Sequence, residues 1–121
     1  MLRFDKFTVK AQEALQGAQE IAGRSGQQLI EPLHLLGALV AQGDGVVCPL
    51  LEKLGAPVAA LSSEIEKQID RLPKVSGVSE HALGRAANEA LERAFDEAQR
   101  LKDEYVSTEH ILLGISSADK D

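Results

Sequence analysis

Apolar residues recur along this chain at helical spacing, in blocks separated by turn residues. Thr8 suits an N-cap, and after it Ala11, Ala14, Leu15, Ala18, Ile21 and Ala22 form one stripe. The stripe predicts a first helix that stops near Gly23 and Gly26. Phe4 and Phe7, ahead of it, are placed to fold back as a staple on the core. A loop carrying Leu29 and Ile30 leads to Glu31-Pro32, which opens a second helix. Proline loses nothing in a first turn, where its missing N–H would go unpaired, and glutamate favours the positive end of the helix dipole. Leu33, Leu35, Leu36, Leu39 and Val40 make this helix apolar nearly all round, which puts it in the middle of a domain. Gln42-Gly43-Asp44-Gly45 reads as a turn. A short third helix turns Val46, Val47, Leu50, Leu51 and Leu54 inward and ends at Gly55. A fourth starts at Pro57, carries Val58, Leu61, Ile65, Ile69 and Leu72 as its stripe, and stops at Pro73. Ser79 is expected to cap a fifth helix with Leu83, Ala87, Ala90, Leu91, Ala94, Ala98 and Leu101 on one side. The charged residues between them can pair along its exposed face. A sixth helix, capped by Ser107 or Thr108, copies the second.

The pattern occurs twice. Ile30-Glu31-Pro32-Leu33-His34-Leu35-Leu36-Gly37-Ala38-Leu39 returns as Val106-Ser107-Thr108-Glu109-His110-Ile111-Leu112-Leu113-Gly114-Ile115, with His34 and His110 76 residues apart. At that same offset Ala11-Gln12-Glu13-Ala14-Leu15 lies over Ala87-Asn88-Glu89-Ala90-Leu91. Two separated blocks in one register mark an internal duplication, which governs the fold. The fold class expected is all-α: a pseudo-twofold helical bundle of two tandem repeats. Repeat 1 takes residues 1–73, a linker 74–78, and repeat 2 residues 79–121, together forming one domain. The first repeat continues for two helices beyond its central one, whereas the second has only residues 116–121 left. The last helices therefore look to be missing, and the expectation is a fragment of a longer polypeptide.

Composition narrows the class. A chain of 121 residues, 44% hydrophobic and 26% charged, fits one globular domain. A net charge of −6 disfavours nucleic acid and anionic membranes as partners, since both need a basic face. Cys48 is the only cysteine, so no internal disulfide can form. There is no apolar run near the length of a membrane span, and Met1-Leu2-Arg3-Phe4-Asp5 does not read as a signal peptide. A cytoplasmic protein is the expectation.

Candidate chemistry is sparse. No G-x-x-x-x-G-K-[ST] stretch is present, so nucleotide chemistry is not expected in these residues, and no catalytic residue is assigned. Glu31-x-x-His34 has the spacing of a di-iron ligand pair, but Ser107 replaces the glutamate in the second copy, so no metal site is expected. His34 and His110 are instead expected in equivalent buried or half-buried positions, each hydrogen-bonded to a loop carbonyl. His81 is expected in solvent, Cys48 as a small buried hydrophobe, and Gly43-Asp44-Gly45 as a plain turn. Asp103, Glu104 and Glu109, around Tyr105 and Val106, make either a peptide-binding rim or a solvated loop and helix cap.

Two copies of an alanine-rich helix, a loop and a central helix with (I/V)-x-x-x-H-(L/I)-L resemble the Clp N-terminal domain family, across essentially the whole chain. The form that precedes the AAA+ modules of ClpB-type disaggregases is the most similar. It is matched by Phe4-Asp5-Lys6-Phe7-Thr8, Leu29-Ile30-Glu31-Pro32-Leu33-His34-Leu35, Pro49-Leu50-Leu51 and Arg71-Leu72-Pro73-Lys74-Val75. The resemblance implies a bundle of about eight helices, of which six are accounted for. It also implies a substrate-recognition module that captures exposed apolar segments of unfolded or aggregated proteins for a homohexameric ATPase. ATP and Mg would act in that ring, with no cofactor in this domain, itself a monomer tethered to the AAA+ modules. The positions that match the family's binding groove are Thr8, Leu91, Asp103, Glu109 and His110, the last at a site often apolar in relatives. Leu91 would supply apolar contact, Asp103 and Glu109 would hold backbone amides or flanking basic residues, and Thr8 would pair with the margin or cap helix one. Rival readings are an adaptor-binding N domain of a protease-linked Clp unfoldase, a four-helix metalloenzyme, and a structural cap without ligand. Since helix two is central, Leu36→Asp is expected to unfold the domain, which a circular dichroism melt checks.

Overall fold

The computed structural model describes residues 3–75 and 82–117. A 3-10 turn at Phe4–Lys6 precedes α1 (Val9–Arg24), β1 (Leu29–Ile30), α2 (Pro32–Ala41), α3 (Val47–Lys53) and α4 (Val58–Asp70). After the second lead-in come β2 (Ala82–Leu83), α5 (Arg85–Arg100) and α6 (Thr108–Ser116). The fold is all-α apart from one two-residue parallel pairing of β1 with β2. Thr8 caps α1 as predicted, its Oγ1 accepting the Ala11 N–H at 3.1 Å. The fifth helix begins later than the sequence predicts: Gly84 is the N-cap of α5, and Leu83 lies in β2 against Ile30. Leu83 happens to fall in phase with the helical stripe, so periodicity could not exclude it; its pairing with a strand fifty-odd residues back decides its conformation. Residues 76–78 of the expected linker, the Ser79 cap and His81 lie outside the described residues.

The two repeats are joined through their lead-in segments. Ile30 pairs with Leu83, and Phe7 forms a parallel bridge with Val106. Both pairs are related by the 76-residue offset. The Gly84 N–H donates to the Ile30 carbonyl at 2.9 Å, and the Thr8 N–H donates to the Val106 carbonyl at 2.9 Å. Each repeat thus hydrogen-bonds its own lead-in to the other repeat's loop. α1 and α5, each 16 residues long, start at equivalent positions.

Alanine stripes make the core thin and tight. Ala11, Ala14, Ala18 and Ala22 on α1, and Ala87, Ala90, Ala94 and Ala98 on α5, are all buried. Leu35, Leu39, Leu91, Val106 and Ile111 fill the centre. α1 packs on α2 and α5 on α6. The second crossing is the closer: a Cβ on Gly114 would land on the Ala90 carbonyl oxygen and lie 3.0 Å from the Ala94 nitrogen. At the equivalent crossing Ala38 keeps its Cβ because Gly17 gives way opposite, where a Cβ would come within 3.2 Å of it. A second cluster, Val40, Ile65 and Ile69, seats α4 on α2; Leu33 and the half-buried Leu36 flank it.

His34 is buried at the start of α2, but its partners are not the loop carbonyl expected from the sequence. Its Nδ1 accepts the Glu31 N–H at 2.8 Å, which leaves the ring proton on Nε2 to donate to Gln27 Oε1 at 2.6 Å. The Gln27 amide then donates to the Ile69 carbonyl at 2.8 Å, at the end of α4. A backbone amide wants an acceptor, so a histidine at the third helical position replaces the usual glutamate of a capping box. Among the described residues no three His, Cys, Asp or Glu side chains gather where a metal could sit, and no helix is long and apolar enough to cross a membrane.

Two outcomes test this packing. Gly114→Ala is expected to cost about 2–3 kcal/mol through overpacking, lowering the thermal midpoint by roughly 10 °C. Gln27→Ala is expected to cost about 2 kcal/mol, since the buried imidazole N–H loses its acceptor, while the Ile69 carbonyl keeps the Leu72 N–H. The equivalent change in the other repeat, Asp103→Ala, is expected to cost less than half of that in a denaturant melt, because water reaches Asp103.

Candidate functional site

The candidate site forms where the chain leaves α5. Lys102 takes a left-handed conformation at φ 62°, matching Gly26 at φ 70° in the first repeat. The reversal lets the Asp103 N–H return to the Ala98 carbonyl at 2.8 Å, as the Gln27 N–H returns to Ala22 at 2.9 Å. Glu104 and Tyr105 then form a bend, and Val106 enters the parallel bridge with Phe7. Val106 points into the core and is held from behind by its bonds to Lys6 and Thr8, while Tyr105 points out. Ser107 then caps α6, and Glu109 and His110 occupy its first turn.

His110 repeats the arrangement of His34 with one change of chemistry. Its Nδ1 accepts the Ser107 N–H at 2.9 Å, with the Ser107 hydroxyl 3.0 Å away, so Nε2 carries the proton. That proton goes to Asp103 Oδ2 at 2.9 Å, a carboxylate in the place of the Gln27 amide. His110 is buried, whereas the Asp103 side chain is 51% exposed. The pair therefore fixes one carboxylate oxygen and leaves the group with capacity for further donors.

Beside this pair lies an open cradle of about 470 Å³. Leu101, Tyr105 and Leu113 wall it and stand 48%, 48% and 43% exposed. Asp103, Glu104 and Glu109 line the same space. Lys6 Nζ sits over the Tyr105 ring, 5.8 Å from its centroid, a cation–π contact. Half-exposed apolar walls with acidic margins give a surface that gains by covering apolar side chains and by meeting positive charge.

Of the five residues marked from the sequence, Asp103, Glu109 and His110 come together here. Thr8 does not line the cradle; it caps α1 and holds Val106 through its backbone N–H, so it supports the loop from behind. Leu91 requires correction: it is fully buried in the core, on the α5 stripe that faces inward, and cannot touch a ligand. Leu101 and Leu113 were missed as wall residues. The duplication holds the signal for Leu113, because its counterpart is Gly37. A Cβ on Gly37 would already touch Ile21 and Ile65 at 3.4 and 3.5 Å. A leucine at that position leaves no room for a helix docked as closely as α4 is on α2.

Comparison with known proteins agrees with this architecture. The family model described as the Clp repeat (R) N-terminal domain matches residues 6–121. The chaperone protein ClpB of Rhodopirellula baltica is 42% identical over 117 residues, which cover 97% of this chain and 13% of that protein. The solved N-terminal domain of Hsp104 from Candida albicans superposes with a TM-score of 0.84 at 23% identity, over 93% of this chain and 77% of that one. A ClpV N-domain solved in complex with a VipB peptide superposes with a TM-score of 0.77 at 16% identity, over 98% and 74% of the two chains. The chain thus spans about an eighth of the length of the curated chaperone and about three quarters of the solved domains. With the matched residues, the paired repeats and the shared fold in agreement, the chain belongs to the Clp repeat N-terminal domain family, the N-domain of Clp-type chaperones.

Proposed function

We propose that this domain is the substrate-recognition module of a ClpB-type disaggregase, binding exposed apolar segments of unfolded or aggregated proteins. The observation that carries the reading is the open cradle: Leu101 at the end of α5, Tyr105 on the loop and Leu113 on α6 stand half-exposed, with carboxylates at the margin. A shallow surface of this kind suits promiscuous capture, which cannot use a deep pocket shaped to one ligand. Affinity for one domain is expected to be weak, roughly micromolar to millimolar, about −4 to −8 kcal/mol. Several copies on one hexameric ring then multiply it. ATP hydrolysis with Mg is assigned to AAA+ modules of the parent chain, and the domain itself carries no catalytic role. The identity to ClpB supports this reading, as does the absence of a membrane-spanning helix among the described residues, which accords with a cytoplasmic setting.

A second reading is favoured by one finding: the related ClpV N-domain has been solved with a peptide of VipB, a single defined partner. An adaptor-binding domain would use the same kind of surface for one protein. Titration of a permanently unfolded protein, reduced and carboxymethylated α-lactalbumin, into the isotope-labelled chain separates the two. Direct capture is expected to shift the amides of Tyr105, Glu109 and Leu113. Tyr105→Ser with Leu113→Ser is expected to weaken binding about tenfold without lowering the melting temperature, because both side chains already meet water. No shift at these residues, together with recovery of one stoichiometric adaptor, would transfer the assignment to the adaptor reading.

A further inference from the structure

We infer that His110 is a proton-operated latch at the start of α6: a second proton on its ring releases the Ser107 amide and sets Asp103 in an ion pair. The device stands whatever the cradle binds. In its neutral form the ring is held at both nitrogens. Nδ1 accepts the Ser107 N–H at 2.9 Å, and Nε2–H donates to Asp103 Oδ2 at 2.9 Å. A proton arriving from water can settle only on Nδ1, because Nε2 already carries one. Nδ1 then becomes a donor facing a donor, and the bond from the Ser107 N–H is lost. The Ser107 hydroxyl, 3.0 Å from the same nitrogen, can accept the new N–H. The doubly protonated ring therefore has Ser107 Oγ and Asp103 as partners and gives up the Ser107 amide. That amide lies at the joint between Val106, which is bonded to Lys6 and Thr8, and the first turn of α6.

The duplication shows that a carboxylate is not needed to orient such a ring. His34 has the same tautomer at the same position of its helix, yet it is Gln27 Oε1 that receives its Nε2–H, at 2.6 Å. An amide oxygen does for a neutral imidazole what Asp103 does. A carboxylate differs in what it gains on a cation, through a charge-assisted hydrogen bond. The groups around His110 divide by sign. Asp103, Glu104 and Tyr105 from the loop, and Glu109 from α6 itself, line the space that His110 lines. From the lead-in, Lys6 lies over Tyr105, and Arg3 and Lys6 share a second hollow with Asp103 and Glu104. α5 buries only alanines and Leu91, and its Arg93 reaches the Gly114 carbonyl towards the far end of α6. α1, α2 and α3 bring alanine, leucine and valine to the shared core, with His34 engaged by Glu31 and Gln27. Three carboxylates thus stand on the open side of the ring, where Asp103 is half-exposed and water can deliver the proton. The positive pole of α6 opposes the charge, so the carboxylates are what make the latch work.

The test follows the isotope-labelled chain from about pH 8 to about pH 5, the interval in which histidine ordinarily changes charge. Ring nitrogen shifts report the protonation and tautomer of His110, and amide exchange reports Ser107. At the alkaline end the ring is expected to carry its proton on Nε2. As the pH falls, Nδ1 is expected to gain a proton. The Ser107 amide is expected to shift with the same midpoint and to lose about tenfold in protection against exchange. Asp103→Asn keeps an acceptor for Nε2–H but removes the charge, and is expected to move the ring step to lower pH. Should that variant unfold, the common midpoint on the unaltered chain still decides. A Ser107 amide that stays fixed while the ring takes its proton would overturn the latch. So would a proton on Nδ1 at the alkaline end, a ring still neutral at the acid end, or a step that Asp103→Asn leaves in place.

Discussion

The Thr8 N–H bonded to Val106, the Val106 N–H bonded to Lys6 at 2.7 Å, and the Gly84 N–H bonded to Ile30 tie each repeat's lead-in to the other's loop. They act together with the packing of α2 on α5 and α6, which joins the two repeats in one core. With them, Phe7, Ile30, Leu83 and Val106 are brought to one place between α1 and α5, and the alanine stripes close over a shared centre. Val106 is held in the core beside these bonds, while Tyr105 next to it stands half-exposed and forms a wall of the cradle.

Duplication then supplies contrast as well as symmetry. In the first repeat Gln27 links His34 to the end of α4, and the Val75 N–H bonds to the Gly26 carbonyl. The second keeps the scaffold, with the same left-handed reversal and the same histidine orientation, but Gln27, Gln28 and Leu33 become Asp103, Glu104 and Glu109 while Glu31 becomes Ser107. Burial follows the same division, with His34 and Gln27 both buried and Asp103 half-exposed.

Much of this was legible in the residues. The 76-residue offset located the two long helices, the central helices and the equivalence of the histidines, because apolar spacing and short motifs are local signals. What escaped depended on distant partners. Leu83 sits in helical phase, and only its pairing with Ile30 makes it a strand. The histidines were expected to meet loop carbonyls, whereas Gln27 and Asp103 claim them through side chains that no spacing rule identifies. Leu91 was assigned to the groove by family likeness although its own stripe already turned it inward, and local periodicity was the better guide. The exposure of Leu113 was readable only by comparison with Gly37, in light of what packs on each.

The crossed pairing has a consequence for biosynthesis. Phe7 and Val106 are separated by about a hundred residues, so the N-terminal segment has no register to adopt until nearly all of this stretch has left the ribosome. Until then the nascent first repeat carries an unlatched aromatic pair, Phe4 and Phe7, at its leading end. A nascent chain in that state exposes apolar surface and would be a client for chaperones during that interval.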